Sequence, residues 1–282
     1  MKKTILITGA NGQLGTDLID LTDSSLYKVV AFTKQGLDIT DYQAVKETIH
    51  RIKPDWILHT AAYTNVEAAE DEGKEMNWLV NASGTENVAK AAKQVGSKMV
   101  YISTDYVFDG VKKTEYEVDD QVNPLNEYGK AKLAGEKAVQ KFLKKDGYII
   151  RTSWVFSKTG KNFVNTMRKL SKEKEVLTVV SDQYGRPTST KDLTAFIFAV
   201  IDQLPESGVY HFSNDGVCNW YEFAVEILNN AAFEGKIVEC NSNEFLQKAR
   251  RPRNSILSLR KTKKNVQYEI PSWKTALKRD YK

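Results

Sequence analysis

The residues Thr4-Ile5-Leu6-Ile7-Thr8-Gly9-Ala10-Asn11-Gly12-Gln13-Leu14-Gly15 decide the fold. The first five form a continuous β-branched and apolar run, the pattern of a parallel strand buried on both faces. Gly9, Gly12 and Gly15 then fall as GxxGxxG, and an amphipathic helix follows on Leu14, Leu18 and Leu21. Glycine at such a turn permits a tight bend, close backbone approach to a pyrophosphate and close helix–strand packing. The helix N-terminus adds amide donors and partial positive charge for an anion. Placed between a first strand and a first helix, the string predicts a dinucleotide-binding unit with Gly9, Asn11, Gly12, Gln13 and Leu14 at the cofactor.

Outward from this turn, a second strand is expected from Tyr27 to Phe32. NAD-selective sites carry a carboxylate at its end for the ribose 2′-hydroxyl; here Thr33-Lys34 stands instead, so Lys34 favours NADPH and leaves NADH possible. Asp38 and Ile39 fall where an adenine would rest, and Thr40 or Asp41 caps the next helix. A third strand, Trp56 to His59, ends at Ala61-Ala62-Tyr63, where small residues leave room for a cofactor at the carboxyl edge of a parallel sheet. His59 sits in a buried run and reads as a core residue. A helix over 77–94 carries Asn81 on its apolar stripe, in a structural hydrogen-bonding role.

The strand ending at Ile102 delivers Ser103-Thr104-Asp105-Tyr106 to the same edge. Asn123-Pro124 is expected to open the following helix. Tyr128 and Lys132, four residues apart, then share one helical face. Strand 148–152 leads into Ser153-Trp154. Strands alternate with helices to this point, which predicts an α/β fold with a doubly wound parallel (Rossmann) sheet. The alternation then loosens through helix 162–174, strand 177–180, helix 193–204, strand 209–212 and helix 221–230. The expected division is a dinucleotide-binding domain of residues 1–152 plus about 188–213. The remainder, about 153–187 plus 214–282, is a smaller, discontinuous α+β substrate-binding lobe.

Tyr128, Lys132 and Thr104 carry the chemistry. A phenol has a free pKa of ~10 and needs help to transfer its proton near neutrality. An ammonium one turn away favours the phenolate and is expected to lower that pKa. Thr104 could hold a substrate oxygen in line with the phenol. Carbonyl reduction by a nicotinamide requires these parts: a proton donor and a hydrogen-bonding orienter beside a hydride source.

Composition bounds the rest. A hydrophobic content of 41% and a charged content of 27% suit an ordinary globular protein. The net charge of +5 is spread along the chain, with one local cluster at Arg250-Arg251-Pro252-Arg253. That is too sparse for a nucleic-acid partner and suits an anionic small ligand. Cys218 and Cys240 lack disulfide or zinc spacing. No apolar run reaches membrane-spanning length, so no membrane partner is expected and a cytoplasmic location is.

The motifs resemble the extended short-chain dehydrogenase/reductase superfamily and, within it, the dTDP-4-dehydrorhamnose reductases. The similar stretches include the glycine turn, Leu37-Asp38-Ile39-Thr40, Ala61-Ala62-Tyr63-Thr64-Asn65-Val66 and Ser103-Thr104-Asp105-Tyr106-Val107-Phe108-Asp109-Gly110. Tyr128-Gly129-Lys130-Ala131-Lys132, Arg151-Thr152-Ser153-Trp154-Val155-Phe156, Asp182-Gln183-Tyr184-Gly185-Arg186-Pro187-Thr188 and Arg251-Pro252-Arg253-Asn254-Ser255 continue the likeness over nearly the whole chain. The resemblance implies reduction of a keto-sugar nucleotide at C4 with NAD(P)H. It also implies Tyr128 as general acid, Lys132 as ribose ligand and Thr104 as orienter. Asp105, Tyr106 and Trp154 would contact the sugar, and Gln183 and Arg186 would lie near the diphosphate, where a guanidinium forms bidentate contacts. Some relatives form a Mg²⁺-bridged dimer through glutamates, one of them just after the glycine turn. Thr16-Asp17 stands there in this chain, so neither that metal site nor that dimer is expected; Mg²⁺ binding is left open, as is a monomer against a homodimer.

Rival readings are weaker. A dehydratase needs an acid–base pair after Thr104, and Tyr106 supplies no carboxylate. An epimerase would usually show a carboxylate after the second strand. A non-catalytic NADP-binding subunit of the methionine adenosyltransferase type would keep the cofactor motifs but has no need of the full Thr104, Tyr128 and Lys132 set.

Overall fold

A computed structural model of the chain describes residues 2–244 and 247–282. Strands β1 (Lys3–Thr8), β2 (Tyr27–Phe32), β3 (Trp56–His59), β4 (Lys98–Thr104) and β5 (Gly147–Thr152) join an edge strand, Gly208–His211, in one sheet. The spatial order is β2-β1-β3-β4-β5-edge, and every pairing is parallel. Thr8 pairs with both Phe32 and His59, and Thr104 with Thr152, so the carboxyl ends line up along one edge. The chain leaves β1 on one side for β2 and returns on the other for β3. Ligands of open parallel sheets bind outside the carboxyl ends at such a reversal.

Two apolar layers clamp the sheet. On one face Leu14 and Leu18 of α1 (Gln13–Asp20) pack with Leu193, Phe196, Ile197 and Val200 of the helix Thr190–Gln203. On the other, α2 (Tyr42–Ile52), α4 (Thr85–Val95) and α5 (Glu127–Leu143) bury Ile49, Val88, Ala92 and Val139. Burial on both faces explains why the central strands read as unbroken apolar runs. A third cluster holds the remaining elements together: Phe156, Val164, Leu177, Phe223, Ile227 and Leu277. Val266, with Tyr268 and Ile270 against it, joins the sheet's own core, so the stretch after residue 214 serves both packing centres.

Several boundaries differ from the sequence reading, each for a physical reason. The helix expected over 77–94 is α3 (Lys74–Trp78), a π-helical turn (Leu79–Gly84), then α4. Inserted residues of this kind re-aim a side chain. Here the turn carries Asn81, whose amide bonds both the N–H and the carbonyl of Tyr63, at 3.1 and 2.9 Å. Asn123-Pro124 does not open α5. Asn126 caps it, accepting from the Gly129 N–H at 2.7 Å, while Asn123 is spent on Val107 and Asp109. The helix after Asn162 stops at Leu170, short of the expected Lys174. An unforeseen strand, Lys236–Cys240, pairs in parallel with Val176–Val180.

Candidate active site

A cleft of about 780 Å³ opens along the carboxyl ends of β1, β3, β4 and β5. At its floor Gly9 takes a φ of +73°, and a Cβ there would stand 2.6 Å from the Ala61 amide nitrogen. A Cβ on Gly15 would meet the Gly9 carbonyl oxygen at 2.2 Å, so α1 lies against the turn as only glycine allows. Gly12 caps α1 without a side chain, leaving the first amides of the helix facing the cleft. Gln13 reaches the N-cap of the helix Phe163–Leu170: its Oε1 accepts from Asn162 Nδ2 at 2.7 Å.

Every expected cofactor residue borders this space: Gly9, Asn11, Gly12, Gln13, Leu14, Lys34, Asp38, Ile39, Ala61, Ala62, Tyr63, Tyr128 and Lys132. Lys34 and Asp38 form a loose pair at 4.0 Å. Asp38 also accepts from the Thr40 N–H and hydroxyl, and the backbone bond from Thr40 chiefly holds its carboxyl below the usual range. Asn87 fixes the adjoining Ile39 carbonyl at 3.0 Å. His59 is the core residue expected, bonded to Thr8 at 2.7 Å and Thr85 at 3.1 Å, and burial lowers its pKa to about 3.

Thr104, Tyr128 and Lys132 converge in the same cleft. Thr104 ends β4, donates to Asp105 Oδ1 at 3.1 Å and accepts from the Tyr106 N–H at 3.1 Å. The expectation that Lys132 lowers the Tyr128 pKa is not met. Burial, then the charge of Asp105, pushes the phenol well above its ordinary value, and the Thr104 side chain, the smallest of the influences on it, opposes the rise. Lys132 instead gives its ammonium to the Ile102 carbonyl at 2.6 Å and lies 4.2 Å above the Tyr101 ring. Burial brings its own pKa down to about 7, with Glu136 opposing the fall.

Asp105, Tyr106 and Trp154 border the cleft as expected. Asp105 is buried, its Oδ2 has no hydrogen-bond partner, and burial raises its pKa to about 6. Tyr106 meets Tyr128 edge to face with centroids 6.1 Å apart. Trp154 holds a left-handed φ of +49°. That conformation costs a non-glycine residue about 1–2 kcal/mol. It turns the indole onto Trp220, parallel to within 12° at 3.7 Å.

Gln183 and Arg186 depart from expectation: both are buried and neither borders the cleft. Carboxylates hold two nitrogens of the Arg186 guanidinium, Glu115 on Nη2 and Asp215 on Nη1 at 2.9 Å, while its Nε has no partner. The segment serves the site from behind: a Cβ on Gly185 would strike the Trp154 ring at 2.8 Å. In the basic cluster, Arg251 is taken by Glu67 at 2.8 Å. Asp17 holds Thr190 across two helices, and its pKa is raised by burial. Among the described residues no group of three or more His, Cys, Asp or Glu side chains is placed to hold a metal.

Trp220 and Lys161 are among the cleft residues that the sequence reading missed. The first had a readable signal. Asn219 and Glu222 form a reciprocal capping box, which puts Trp220 at the first helical position. Lys161 follows Gly160, whose φ of +76° folds this loop onto Gln13.

A family profile described as "RmlD substrate binding domain" matches residues 1–282. The chain is 41% identical to the spore coat polysaccharide biosynthesis protein SpsK of Bacillus subtilis, covering 91% of this chain and 89% of that one. It is 37% identical to the dTDP-4-dehydrorhamnose reductase of Escherichia coli K12, covering 98% and 96%. Its structure is similar to that of the dTDP-4-dehydrorhamnose reductase of Bacillus anthracis solved in complex with NADP. There the TM-score is 0.96, the identity 40%, and the match covers 100% of this chain and 99% of that one.

Proposed function

Because the chain belongs to the RmlD substrate binding domain family, we propose that it reduces the C4 ketone of dTDP-4-dehydro-L-rhamnose with NADPH, giving dTDP-L-rhamnose. It is an NAD(P)H-dependent oxidoreductase of nucleotide-sugar metabolism. The observation that carries this reading is a juxtaposition: the glycine turn and the Thr104–Tyr128–Lys132 set share one cleft. In the functional division we adopt, residues 1–152 with about 188–213 serve the cofactor and the rest serves the nucleotide sugar.

The residues fit a dinucleotide. Gly9 and Gly15 form a cradle that a Cβ would fill, uncapped amides of α1 face it, and Lys34 stands where a 2′-phosphate would need a cation. NADPH, when bound, supplies hydride to the ketone carbon. The chain's own groups manage the oxygen. A phenol with a raised pKa remains protonated at neutral pH, the form that reduction consumes, and Tyr128 gives that proton to the developing alkoxide. Thr104 turns its hydroxyl from Asp105 to the same oxygen. Lys132, on the same helical face as the phenol, binds ribose hydroxyls and so places the nicotinamide beside Tyr128. Asp105 offers its open Oδ2 to a sugar hydroxyl, and the Trp154–Trp220 stack supplies an apolar wall.

The test is to incubate the protein with NADPH and a panel of 4-keto-6-deoxy nucleotide sugars, following the nicotinamide absorbance and identifying the product. Turnover of dTDP-4-dehydro-L-rhamnose supports the reading; no oxidation with any member of the panel refutes it.

A further inference from the structure

Beneath the cleft lies a charged pair that the reaction scheme above leaves unused. Glu136 and Arg151 are 1% and 4% exposed. Arg151 donates from Nε to Glu136 Oε1 at 2.9 Å and from Nη2 to Oε2 at 2.8 Å, a two-pronged grip. Ser103 Oγ donates to the same Oε1 at 2.5 Å. Ser103 and Arg151 are direct partners across β4 and β5, so both reach the carboxylate from neighbouring points of the sheet. Arg151 extends further, from Nη1 to the Val118 carbonyl at 3.1 Å and over the Phe108 ring at 5.1 Å.

The position of the pair is what matters. Tyr128, Lys132 and Glu136 stand at i, i+4 and i+8 of α5, one stripe of a single helix. On β4, Ile102 receives the Lys132 ammonium, Ser103 binds Glu136, and Thr104 enters the cleft. Two consecutive strand residues are therefore tied to the stripe bearing the reacting phenol, and the third, Thr104, follows them into the cleft. A buried ion pair adds little net stability over well-packed apolar side chains, so stability alone gives no account of it.

Resting on the functional reading above, we infer that Glu136 is a positioning residue of the reductase. Its carboxylate fixes the Thr104 end of β4 in register with Tyr128 and provides the negative charge that keeps Lys132 an ammonium during turnover. The surroundings of Lys132 leave that second role to Glu136. Tyr101 and the Ile102 carbonyl face it from β4, neutral His59 from β3, and Tyr128 from its own helix. Arg151 on β5 lies behind Glu136, and Asp105 at the end of β4 acts on Tyr128.

The experiment compares pH profiles of kcat/KM for NADPH, with the keto-sugar nucleotide saturating, in wild type and three variants. Removing the carboxylate charge lets the ammonium lose its proton at lower pH, so Glu136→Gln should move the alkaline limb down by about one pH unit. That variant leaves Arg151 buried without a counter-charge, so Glu136→Gln/Arg151→Met is made beside it and should show a smaller displacement in the same direction, since the more distant Arg151 charge goes too, with a melting temperature nearer wild type. Ser103→Ala keeps the charge and cuts only the strand tie. It should lose kcat about 10-fold, a plausible cost for misplacing a reacting group, with KM for NADPH and the alkaline limb unchanged. An unmoved limb in the folded double variant together with full kcat in Ser103→Ala would overturn the inference and leave Glu136 a packing element. A wild-type protein that oxidises no NADPH would instead overturn the functional reading on which it rests.

Discussion

Trp154 and Trp220 stack with ring centroids 3.7 Å apart although 65 residues of chain separate them, one following β5 and one opening the helix Trp220–Asn229. Phe163 packs on the Trp220 ring at 4.5 Å, and Gly185 lies directly beneath Trp154. The pair is thus a rigid wall. Trp220→Ala removes half of it without touching the glycine turn. An aromatic pair is worth about 0.5–1.5 kcal/mol beyond its buried area. The expected result is a KM for the nucleotide sugar raised about 10-fold with the Kd for NADPH within a few-fold, measured by steady-state kinetics and fluorescence titration. A larger effect on NADPH than on sugar would remove the wall from the substrate half.

Asp105 is a stability cost held at the site. Its folded pKa, about 6, is above the ordinary 3.8, with burial the chief cause. The unfolded chain therefore releases this proton first as pH rises. Any stability tied to the protonated form is complete below the unfolded pKa and is lost between about pH 4 and 6. A shift of this size corresponds to about 1–3 kcal/mol. Asp105→Asn should accordingly raise the melting temperature at pH 7, change it little near pH 4, and lower kcat/KM for the sugar. Thermal melts across that range check the sign; a variant less stable at pH 7 contradicts it.

We assign the cofactor preference to Lys34. It is well exposed and only loosely paired with Asp38, so its charge is available at the rim. Replacing it with alanine should reduce the ratio of kcat/KM for NADPH over NADH by about 10-fold, the size of one charge-assisted contact to phosphate. A wild type that prefers NADH, or an unchanged ratio in the variant, would assign discrimination elsewhere.

Lys132→Met removes the ammonium and keeps a comparable apolar volume. Both kcat and NADPH affinity should fall, kcat by ~10²-fold, as the ribose loses its ligand and the nicotinamide its placement. Isothermal titration separates the two effects. Unaltered NADPH affinity would count against the ribose role.

The parts of this molecule legible in its sequence are those where one local rule governs. β1 reads as a strand because both its faces are buried, and the glycine turn because a Cβ on any of its glycines would meet backbone at 3.2 Å or less. The Tyr128–Lys132 spacing survives because α5 is regular there. What was not legible depends on partners distant in the chain. The carboxylates on the Arg186 guanidinium, Asp215 and Glu115, stand 29 and 71 residues away in the chain. The Tyr128 pKa looked set by the neighbour one turn away, yet burial dominates it and Lys132 is spent on Ile102. Asn123-Pro124 imitates a helix start, but Val107 and Asp109 claim Asn123 and leave capping to Asn126.

The central claim is that the Tyr128 phenol hands its proton to the sugar oxygen as hydride reaches the carbon. The most direct measurement is single-turnover NADPH oxidation with dTDP-4-dehydro-L-rhamnose by Tyr128→Phe, paired with its NADPH affinity. The expected result is a rate lower by ~10²-fold or more, the usual size of a lost general acid, with affinity within a few-fold of wild type. A near-normal rate in that variant would contradict the account.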